Sequence, residues 1–506
     1  MILSSQTLHP ILPHQSPHSP RPILSSNKPI KNNKTPTPTS SEFGTLLRSC
    51  IETRSLQQGK ALHSRIIQAG FDRNRDLLPR LIKLYFTCNG ASDAQKLFDE
   101  IPHRNRNVYI YTSMVSGYLE NQMFNEAFDG FFEMLENGVK PDSFTFSALM
   151  KACVQLGSLD LVVQLHCMIA KLGYGPSDLS VANSLINAYG FFEKFESFSR
   201  IFDDMPMRDV VSWTSMIQAC NRSKRHGESM ELLSKMQFEE GLKPNALTVV
   251  SVLPACAFFA SLKKGQAIHA FVMRNGLNSN AVVAAALISM YSQCGESDDA
   301  LVVFDALEGA PNVVVWTSMI EGLSMNGRFD EALRLFEAMQ VKPNRITLVV
   351  VLSACSHGGL LEVGRRIFDS MNEKFGIEPR MEHYACVVDM LGRAGRFDEA
   401  EDFIERMKVR PNGSVYGALL GACQVHRNVK LGERVALELF ELEPSDAGNY
   451  VMLSNLYAST GRWEEVGRLR VAMIDRGLFK SPGYSWLEMR DKIFVFGTDE
   501  RADLDC

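Results

Sequence analysis

The amino-acid sequence predicts an all-α fold, an α-solenoid in which helical pairs of similar length stack along the chain. Three observations predict it. The segment VVSWTSMIQAC at residues 210–220 recurs as VYIYTSMVSGY at 108–118 and as VVVWTSMIEGL at 313–323. Each period of about 103 residues divides into units of 31 to 36 residues, and each unit has the apolar pattern of two helices. Since one helical pair of this length cannot bury its apolar faces alone, neighbouring pairs must stack.

Three kinds of unit alternate between residues 40 and 412, giving eleven units. The first kind begins at the repeated motif and spans residues 108–142, 210–245 and 313–344. The second kind carries the words RSC, KAC, PAC or SAC and spans residues 40–74, 143–178, 246–280 and 345–380. The third kind is shorter and spans residues 75–107, 179–209, 281–312 and 381–412.

Unit 313–344 illustrates why each unit predicts two helices. Its first half is apolar and ends at Asn326-Gly327, two residue types that tolerate a positive φ. The second half, FDEALRLFEAM, has apolar residues on one stripe at helical spacing, with acidic residues at its positive N-terminal end. The words VKPD, LKPN, VKPN and VRPN close four units, because proline cannot continue a helix.

The eleven cysteines do not predict disulfides or a metal site. No C-x-x-C occurs, and the usual zinc pattern is therefore missing. Five of the cysteines instead recur with the repeat: Cys50, Cys153, Cys256, Cys355 and Cys423. A small, weakly polar residue that follows the repeat is expected at close contacts between helices.

Residues 1–39 differ in composition from the rest of the chain. They hold eight Pro, three Lys and one Arg, with no Asp or Glu. This composition predicts a disordered organellar transit peptide, with a plain disordered tail as the alternative. Removing its four cations from a chain of net charge −5 would leave −9, so binding of a nucleic acid must depend on local chemistry.

The segments VVSWTSMI, FTFSALMKAC, VANSLINAY and RIFDDMP, in this unit order, resemble pentatricopeptide repeats of the plant subclass that alternates P, L and S units. The W-x2-L-G-x2-Y pattern of the tetratricopeptide repeat, another helical array of about 34 residues, is missing. The resemblance implies a right-handed α-solenoid superhelix of helix-turn-helix repeats in the order L-S-P over residues 40–412.

Residues 413–480 resemble the E extension of this subclass, two degenerate helical pairs. GYSWLEMRDKIFVF, within the tail 481–506, resembles the first strands of its E+ segment. Longer family members end in a zinc deaminase, whose chemistry needs H-x-E and C-x-x-C. The chain has one H-x-E, His226-Gly227-Glu228, in a turn within a unit, and no C-x-x-C. We therefore expect no catalytic residue, no metal, no cofactor and no enzymatic activity of its own.

Polar residues recur at the fifth place of the first helix and at the end of a unit. The resemblance makes such pairs the base-reading positions of single-stranded RNA, one base per unit. The pairs are Thr112/Asp142, Asn183/Asp209, Thr214/Asn245 and Thr317/Asn344. The alternative is structural: the Thr bonds a backbone carbonyl, and the terminal Asp or Asn caps the next helix.

By the family's rule, Thr prefers purines and Asn pyrimidines, while a terminal Asp favours G or U and a terminal Asn favours A or C. The four pairs then imply G, U, A and A in chain order. The L-type units, with Ser147, Val250 and Val349 at the fifth place, are expected to read weakly. Pro79, Ala285 and Ala385 depart from the pattern, so their units are expected to specify no base.

The resemblance implies a site-recognition factor for C-to-U RNA editing in a plant organelle, with single-stranded organellar RNA as ligand. Its partners would be a DYW-type cytidine deaminase supplied in trans and the multiple organellar RNA editing factors. The alternatives are an RNA stabilisation or splicing factor and a protein–protein scaffold. Chloroplast is slightly favoured over mitochondrion by the Ser- and Thr-rich leader, which contains a single Arg.

Overall fold

The computed structural model describes residues 38–480, 483–489 and 492–497. The predicted transit peptide, residues 1–39, lies almost entirely outside the described residues. The described chain divides after Asn121 into two compact units, which we treat separately. No helix in the described ranges combines the length and the apolar character that a membrane span requires.

The first compact unit contains five α-helices and one short 3-10 helix. The 3-10 helix spans His103–Asn105, and the α-helices are α1 (Ser40–Glu52), α2 (Leu56–Gln68), α3 (Leu77–Thr87), α4 (Ala91–Glu100) and α5 (Val108–Glu120). Helix α3 packs against α1 and α5, while α2 and α4 pack beside this row. The first helices of successive sequence units therefore stack on one another.

The second compact unit continues the pattern with 22 α-helices in the part of the chain that is described. They are α6 (Phe124–Glu136), α7 (Ser143–Gln155), α8 (Leu159–Lys171), α9 (Leu179–Phe191), α10 (Phe195–Asp203), α11 (Val210–Arg222), α12 (His226–Phe238), α13 (Ala246–Phe258), α14 (Leu262–Arg274), α15 (Ala281–Gln293), α16 (Ser297–Asp305), α17 (Val313–Met325), α18 (Phe329–Glu337), α19 (Arg345–His357), α20 (Leu361–Asp369), α21 (Met371–Phe375), α22 (Met381–Arg393), α23 (Phe397–Glu405), α24 (Gly413–His426), α25 (Val429–Leu442), α26 (Ala447–Ser459) and α27 (Trp463–Asp475).

Two layers of helices run through this second unit. The first helix of each repeat, which we call helix A, packs against the helices A before and after it; these are α7, α9, α11, α13, α15, α17, α19, α22, α24 and α26. The second helix, helix B, packs on its own helix A, and most helices B also touch the next helix A; these are α8, α10, α12, α14, α16, α18, α20, α23, α25 and α27. This arrangement is the predicted α-solenoid.

Small residues allow neighbouring helices A to approach closely. Cys153, Cys256 and Cys355 are fully buried free thiols, as their recurrence predicted. At Gly190 in α9, an added Cβ would lie 2.5 Å from the Cβ and 2.9 Å from the Cα of Ala219 in α11. Atoms at these distances overlap, so any side chain at this position would push the two helices apart.

The breaks between helices A and B follow the predicted chemistry. Helix α17 ends before Asn326-Gly327, where Gly327 adopts φ +75°, and α18 begins at Phe329. The same left-handed turn recurs with a non-glycine residue in other repeats, such as Lys224 at φ +59°. A single left-handed residue therefore reverses the chain between the two helices of each of these repeats.

Three hydrogen bonds between a histidine and a tyrosine join an L-unit helix B to the next helix A. The His Nδ1 and Tyr Oη atoms lie 2.7 to 2.9 Å apart in the pairs His63–Tyr85, His166–Tyr189 and His269–Tyr291. Burial lowers the pKa of each of these histidines. In units 345–380 and 381–412, the last pair of this kind, the same two places hold Phe368 and Leu391.

The described chain ends in a β-hairpin. Strands β1 (Tyr484–Met489) and β2 (Lys492–Gly497) pair antiparallel, with Tyr484 opposite Gly497 and Met489 opposite Lys492. The two strands lie within GYSWLEMRDKIFVF, the segment that resembles the first strands of the E+ segment.

Candidate nucleic-acid interface

The last residue of each pair caps the next helix A. Asp142, Asp209, Asn245 and Asn344 each accept, through Oδ1, the backbone N–H three residues later, at 2.8 to 2.9 Å. The hydroxyl of that third residue approaches the same Oδ1 at 2.8 to 3.1 Å. One side-chain oxygen of each terminal residue is thus occupied by its capping role, as the structural alternative proposed.

The threonines at the fifth place bond to the backbone. The hydroxyls of Thr214 and Thr317 lie 2.7 Å from the carbonyl oxygens of Val210 and Val313, one turn earlier in the same helix. Thr214 is 2% exposed and Thr317 8% exposed. Both therefore occupy the backbone-bonding role that the structural alternative gave them, which leaves a hydroxyl lone pair for a ligand.

A second threonine joins the two members of each of these pairs. Thr248 lies 2.8 Å from the Thr214 hydroxyl and 3.1 Å from Asn245 Oδ1. The same two distances recur at Thr317, Thr347 and Asn344. Thr248 and Thr347 are fully buried. The fifth residue and the last residue of units 210–245 and 313–344 are therefore linked through the third residue of the next helix A.

The pair Asn183/Asp209 is built differently. Asn183 is 8% exposed, and its amide oxygen has no hydrogen-bond partner in the described structure. Ser212, which stands where Thr248 stands, bonds to Asp209 at 2.8 Å. Burying an amide oxygen without a hydrogen-bond partner lowers the stability of the fold. A ligand that donates a hydrogen bond to the Asn183 oxygen would supply the missing partner.

Thr112 lies in α5 of the first compact unit, at the same place in its helix, and is half-buried. Its predicted companion Asp142 caps α7 in the second unit. Ala285 is buried in α15 and Ala385 is half-buried in α22. Neither alanine has a polar side-chain atom to offer a base, and that their units specify none stays a prediction.

Sequence reasoning missed a row of exposed apolar side chains at the second place of helix A. Seven of them are 52% to 72% exposed: Tyr109, Phe144, Val211, Leu247, Val282, Val314 and Ile346. The signal was present, since the second residue of these seven helices is apolar yet out of phase with the buried stripe. Each stands two residues after a capping residue and three before a fifth residue.

The helices A and the helices B differ in their balance of acidic and basic residues. The eight helices A from α7 to α22 contain four Lys or Arg and three Asp or Glu. The eight helices B that follow them contain nine Lys or Arg and eighteen Asp or Glu. The acidic balance of the chain therefore lies on the helices B, and the helices A that carry the pairs are close to neutral.

The H-x-E triplet forms the first three residues of α12, rather than lying in a turn as the sequence predicted, and it has structural partners. The His226 ring bonds to Asn221 Oδ1 at 3.0 Å and packs against Phe258, and burial lowers its pKa. Glu228 forms an ion pair with Arg225. Within residues 38–480 and the hairpin, no group of three or more His, Cys, Asp or Glu is arranged to hold a metal ion.

Comparison with known proteins decides the family. The "PPR repeat family" model matches residues 106–155 and 311–357, and the "PPR repeat" model matches 144–174, 180–210, 211–239, 284–310 and 382–411. A putative mitochondrial pentatricopeptide repeat-containing protein of Arabidopsis thaliana is 39% identical over 91% of this chain and 73% of its own length. The chain belongs to the pentatricopeptide repeat family.

Other relatives extend the comparison. A chloroplastic pentatricopeptide repeat-containing protein of Arabidopsis thaliana is 35% identical over 90% of this chain, which spans 52% of that relative. The "E motif" model matches residues 426–488. The crystal structure of the maize pentatricopeptide repeat protein PPR10 superposes with a TM-score of 0.51 at 18% identity, covering 88% of this chain and 70% of PPR10. This last likeness concerns the fold alone.

Proposed function

We propose that this pentatricopeptide repeat chain is a sequence-specific single-stranded RNA-binding factor of a plant organelle. It recognises the site of C-to-U editing and recruits a deaminase in trans. The observation that carries the binding part is the capping geometry of Asp209, Asn245 and Asn344, because it fixes which atom of each side chain remains for a base.

The capping bond leaves a hydrogen-bond donor unused on Asn and a hydrogen-bond acceptor unused on Asp. A backbone N–H needs an acceptor, so the amide of Asn245 must turn its oxygen toward Thr248, which leaves its NH₂ group outside the cap. Asp209 caps through Oδ1 and keeps Oδ2, an acceptor. A terminal Asn thus offers a donor and a terminal Asp an acceptor.

The bases divide by the same property. At the centre of the Watson–Crick edge, the ring nitrogen accepts a hydrogen bond in adenine and cytosine and donates one in guanine and uracil. Single-stranded RNA is read on this edge because its bases are unpaired. The donor of Asn245 or Asn344 suits A or C, and the acceptor of Asp209 suits G or U. This physical argument agrees with the family's rule.

The exposed second-place residues support a stacking role. A base that presents its edge to a capping residue needs an apolar surface for its faces, and stacking on side chains is sequence-tolerant. Val211 is the second residue of α11, which carries Thr214, and Leu247 is the second residue of α13, which Asn245 caps. The near-neutral helices A also avoid repelling phosphates from this layer.

The pairs predict an RNA core in the direction 5′ to 3′, as in the resembled family. It reads G-N-U-A-N-N-A, where N marks units 143–178, 246–280 and 281–312. The four specified bases come from Thr112/Asp142, Asn183/Asp209, Thr214/Asn245 and Thr317/Asn344.

The editing part of the proposal depends on the C-terminal region. The matched E motif and the β-hairpin at residues 484–497 belong to the region that, by family resemblance, engages the trans-acting cytidine deaminase and the multiple organellar RNA editing factors. Relatives are named as mitochondrial and as chloroplastic proteins, which supports an organelle without selecting one.

The test is a binding series with four RNAs that differ only at the fourth base of the core. Wild-type protein should prefer A there. Thr214→Asn should move the preference to C and weaken binding of the original RNA about threefold to tenfold, since one hydrogen bond is at stake. Asn should fit, because Asn183 already occupies the same place in α9.

Thr214→Ser is the matched control, since it keeps the hydroxyl and should keep the preference for A. Circular dichroism of each variant checks that the fold persists. If wild-type protein binds all four RNAs alike, the proposal fails; the same holds if Thr214→Asn weakens all four equally. Sequencing of organellar transcripts with and without the protein tests the editing part.

A further inference from the structure

Thr248 and Thr347 are fully buried polar residues that no base-reading rule uses. Each is the third residue of an L-unit helix A, α13 or α19, and each lies within hydrogen-bond distance of both members of the preceding pair. Their backbone N–H groups make the capping bonds. Capping alone does not require the hydroxyl to reach a threonine in the preceding repeat.

The protons in this network can be counted. A hydroxyl has one proton and can accept through its lone pairs. Thr214 can give its proton to the Val210 carbonyl, and Thr248 then donates to Thr214. Alternatively, Thr214 donates to Thr248, which donates to Asn245 Oδ1. Of the two remaining arrangements, one would bring two lone pairs together at 2.8 Å and the other would bring two protons together, so both are repulsive.

Both allowed arrangements leave Thr214 in the same state. Its proton is used inside the protein, and a lone pair remains, so it faces a base as an acceptor. Beside it, Asn245 offers a donor. An acceptor next to a donor matches adenine, whose exocyclic amine donates and whose N1 accepts, and it opposes guanine, in which both groups are reversed.

The pair Asn183/Asp209 lacks this link. The Ser212 hydroxyl bonds to Asp209 and to its backbone N–H, and Asn183 keeps an amide oxygen without a partner in the described chain. Hydroxyl-mediated linkage is therefore present in units 210–245 and 313–344 and does not involve the Asn183 amide oxygen of unit 179–209.

We propose that Thr248 and Thr347 are positioning residues that set the hydrogen-bonding polarity of the base-reading threonine in the preceding repeat. The inference rests on the proposed RNA-binding function. The base specificity of one repeat then depends on a buried residue of the next repeat. The fifth and last residues alone are therefore not sufficient to predict which base a repeat prefers.

The experiment compares Thr248→Val with Thr248→Ser on the same four RNAs. Valine keeps the shape and the backbone cap but removes the hydroxyl. The Thr214 proton then has one acceptor inside the protein, the Val210 carbonyl, instead of two, and is more easily given to a base. The preference for A over G at the fourth base should fall about threefold to tenfold. Thr248→Ser should keep it, and Thr347→Val should produce the same loss at the seventh base only.

Ser212→Ala is the matched control, because it removes a third-residue hydroxyl that does not touch the fifth residue. It should change the preference at the third base by less than Thr248→Val changes that at the fourth. A purely structural role would make Thr248→Val weaken all four RNAs by the same factor.

The outcomes separate the two proposals. If wild-type protein discriminates at the fourth base and Thr214→Asn shifts that preference, while Thr248→Val leaves the A-to-G ratio unchanged, the positioning role is overturned and the RNA-binding function stands. If wild-type protein does not discriminate at that base, both proposals fall.

Discussion

Helices A and helices B of the second compact unit alternate along the same repeats, yet their chemistry differs. Helices A carry few charges, all but α22 begin at an Asp or Asn cap, and six of the ten expose an apolar residue at their second place. Helices B carry twice as many acids as bases between α8 and α23 and form ion pairs with one another, such as Arg365 with Glu399. A protein of negative net charge can therefore have one layer, the helices A, that does not repel a polyanion such as RNA.

A matched pair of valines tests this difference between layers. Val314 is the second residue of α17, and Val302 lies in α16, a helix B; both are more than half exposed. Val314→Glu should weaken RNA binding about tenfold or more, because it removes a stacking surface and repels phosphate. Val302→Glu should have little effect. Fluorescence anisotropy at one fixed salt concentration measures both; equal losses would show that the layers do not differ in RNA contact.

The helices A should also be more sensitive than the helices B to an added side-chain atom. Gly190→Ala places a methyl group against Ala219 of the neighbouring helix A and should lower the free energy of unfolding by about 1–3 kcal/mol. Gly227→Ala, in α12, meets no atom within 4 Å and should leave stability unchanged or slightly raised. Thermal and urea unfolding measure both variants. Similar midpoints for the two would contradict the close packing of helices A.

The His–Tyr bonds, which join the two layers, should give stability a pH dependence. Burial holds the pKa of His269 below its ordinary value of about 6.5 in the folded protein. The unfolded chain therefore binds more protons below that pH, and stability present above about pH 6.5 is lost as pH falls toward the lowered pKa.

His269→Phe combined with Tyr291→Leu copies the pair Phe368/Leu391 of units 345–380 and 381–412 and should reduce that loss between pH 7 and 5. Unfolding midpoints at several pH values check it. An unchanged pH profile would mean that His269 does not contribute.

The sequence predicted helix boundaries correctly where a repeated segment also contains a local capping or turn signal. The unit starts at Val108, Val210 and Val313 are also the starts of helices, because each follows a capping Asp or Asn. Buried Cys256 and the break at Gly327 followed from the same reasoning. Local signals of this kind depend on a few neighbouring residues.

The links between repeats could not be predicted in the same way. Thr214 and Thr248 are 34 residues apart, and periodicity does not tell whether two hydroxyls face each other or solvent. Three-dimensional packing also buries Thr214 more deeply than a row of open hydrogen-bonding groups would require. The recurrence of Thr145, Thr248 and Thr347 at the repeat spacing was an available signal.

The most direct measurement exchanges the terminal residues of two repeats. Asp caps α11 through the same backbone bond that Asn makes at α13, so Asn245→Asp keeps the cap and replaces an outward donor by an acceptor. The reciprocal change, Asp209→Asn, does the opposite in the neighbouring repeat. Binding is measured for all four bases at the third and fourth positions of G-N-U-A-N-N-A, at one salt concentration.

The account predicts that Asn245→Asp changes the preferred fourth base from A to G, and that Asp209→Asn changes the preferred third base from U to C. Each change should leave the other position as it was. Retention of A and U, or an equal loss for all four bases, would contradict the claim that the uncapped side-chain atom selects the base.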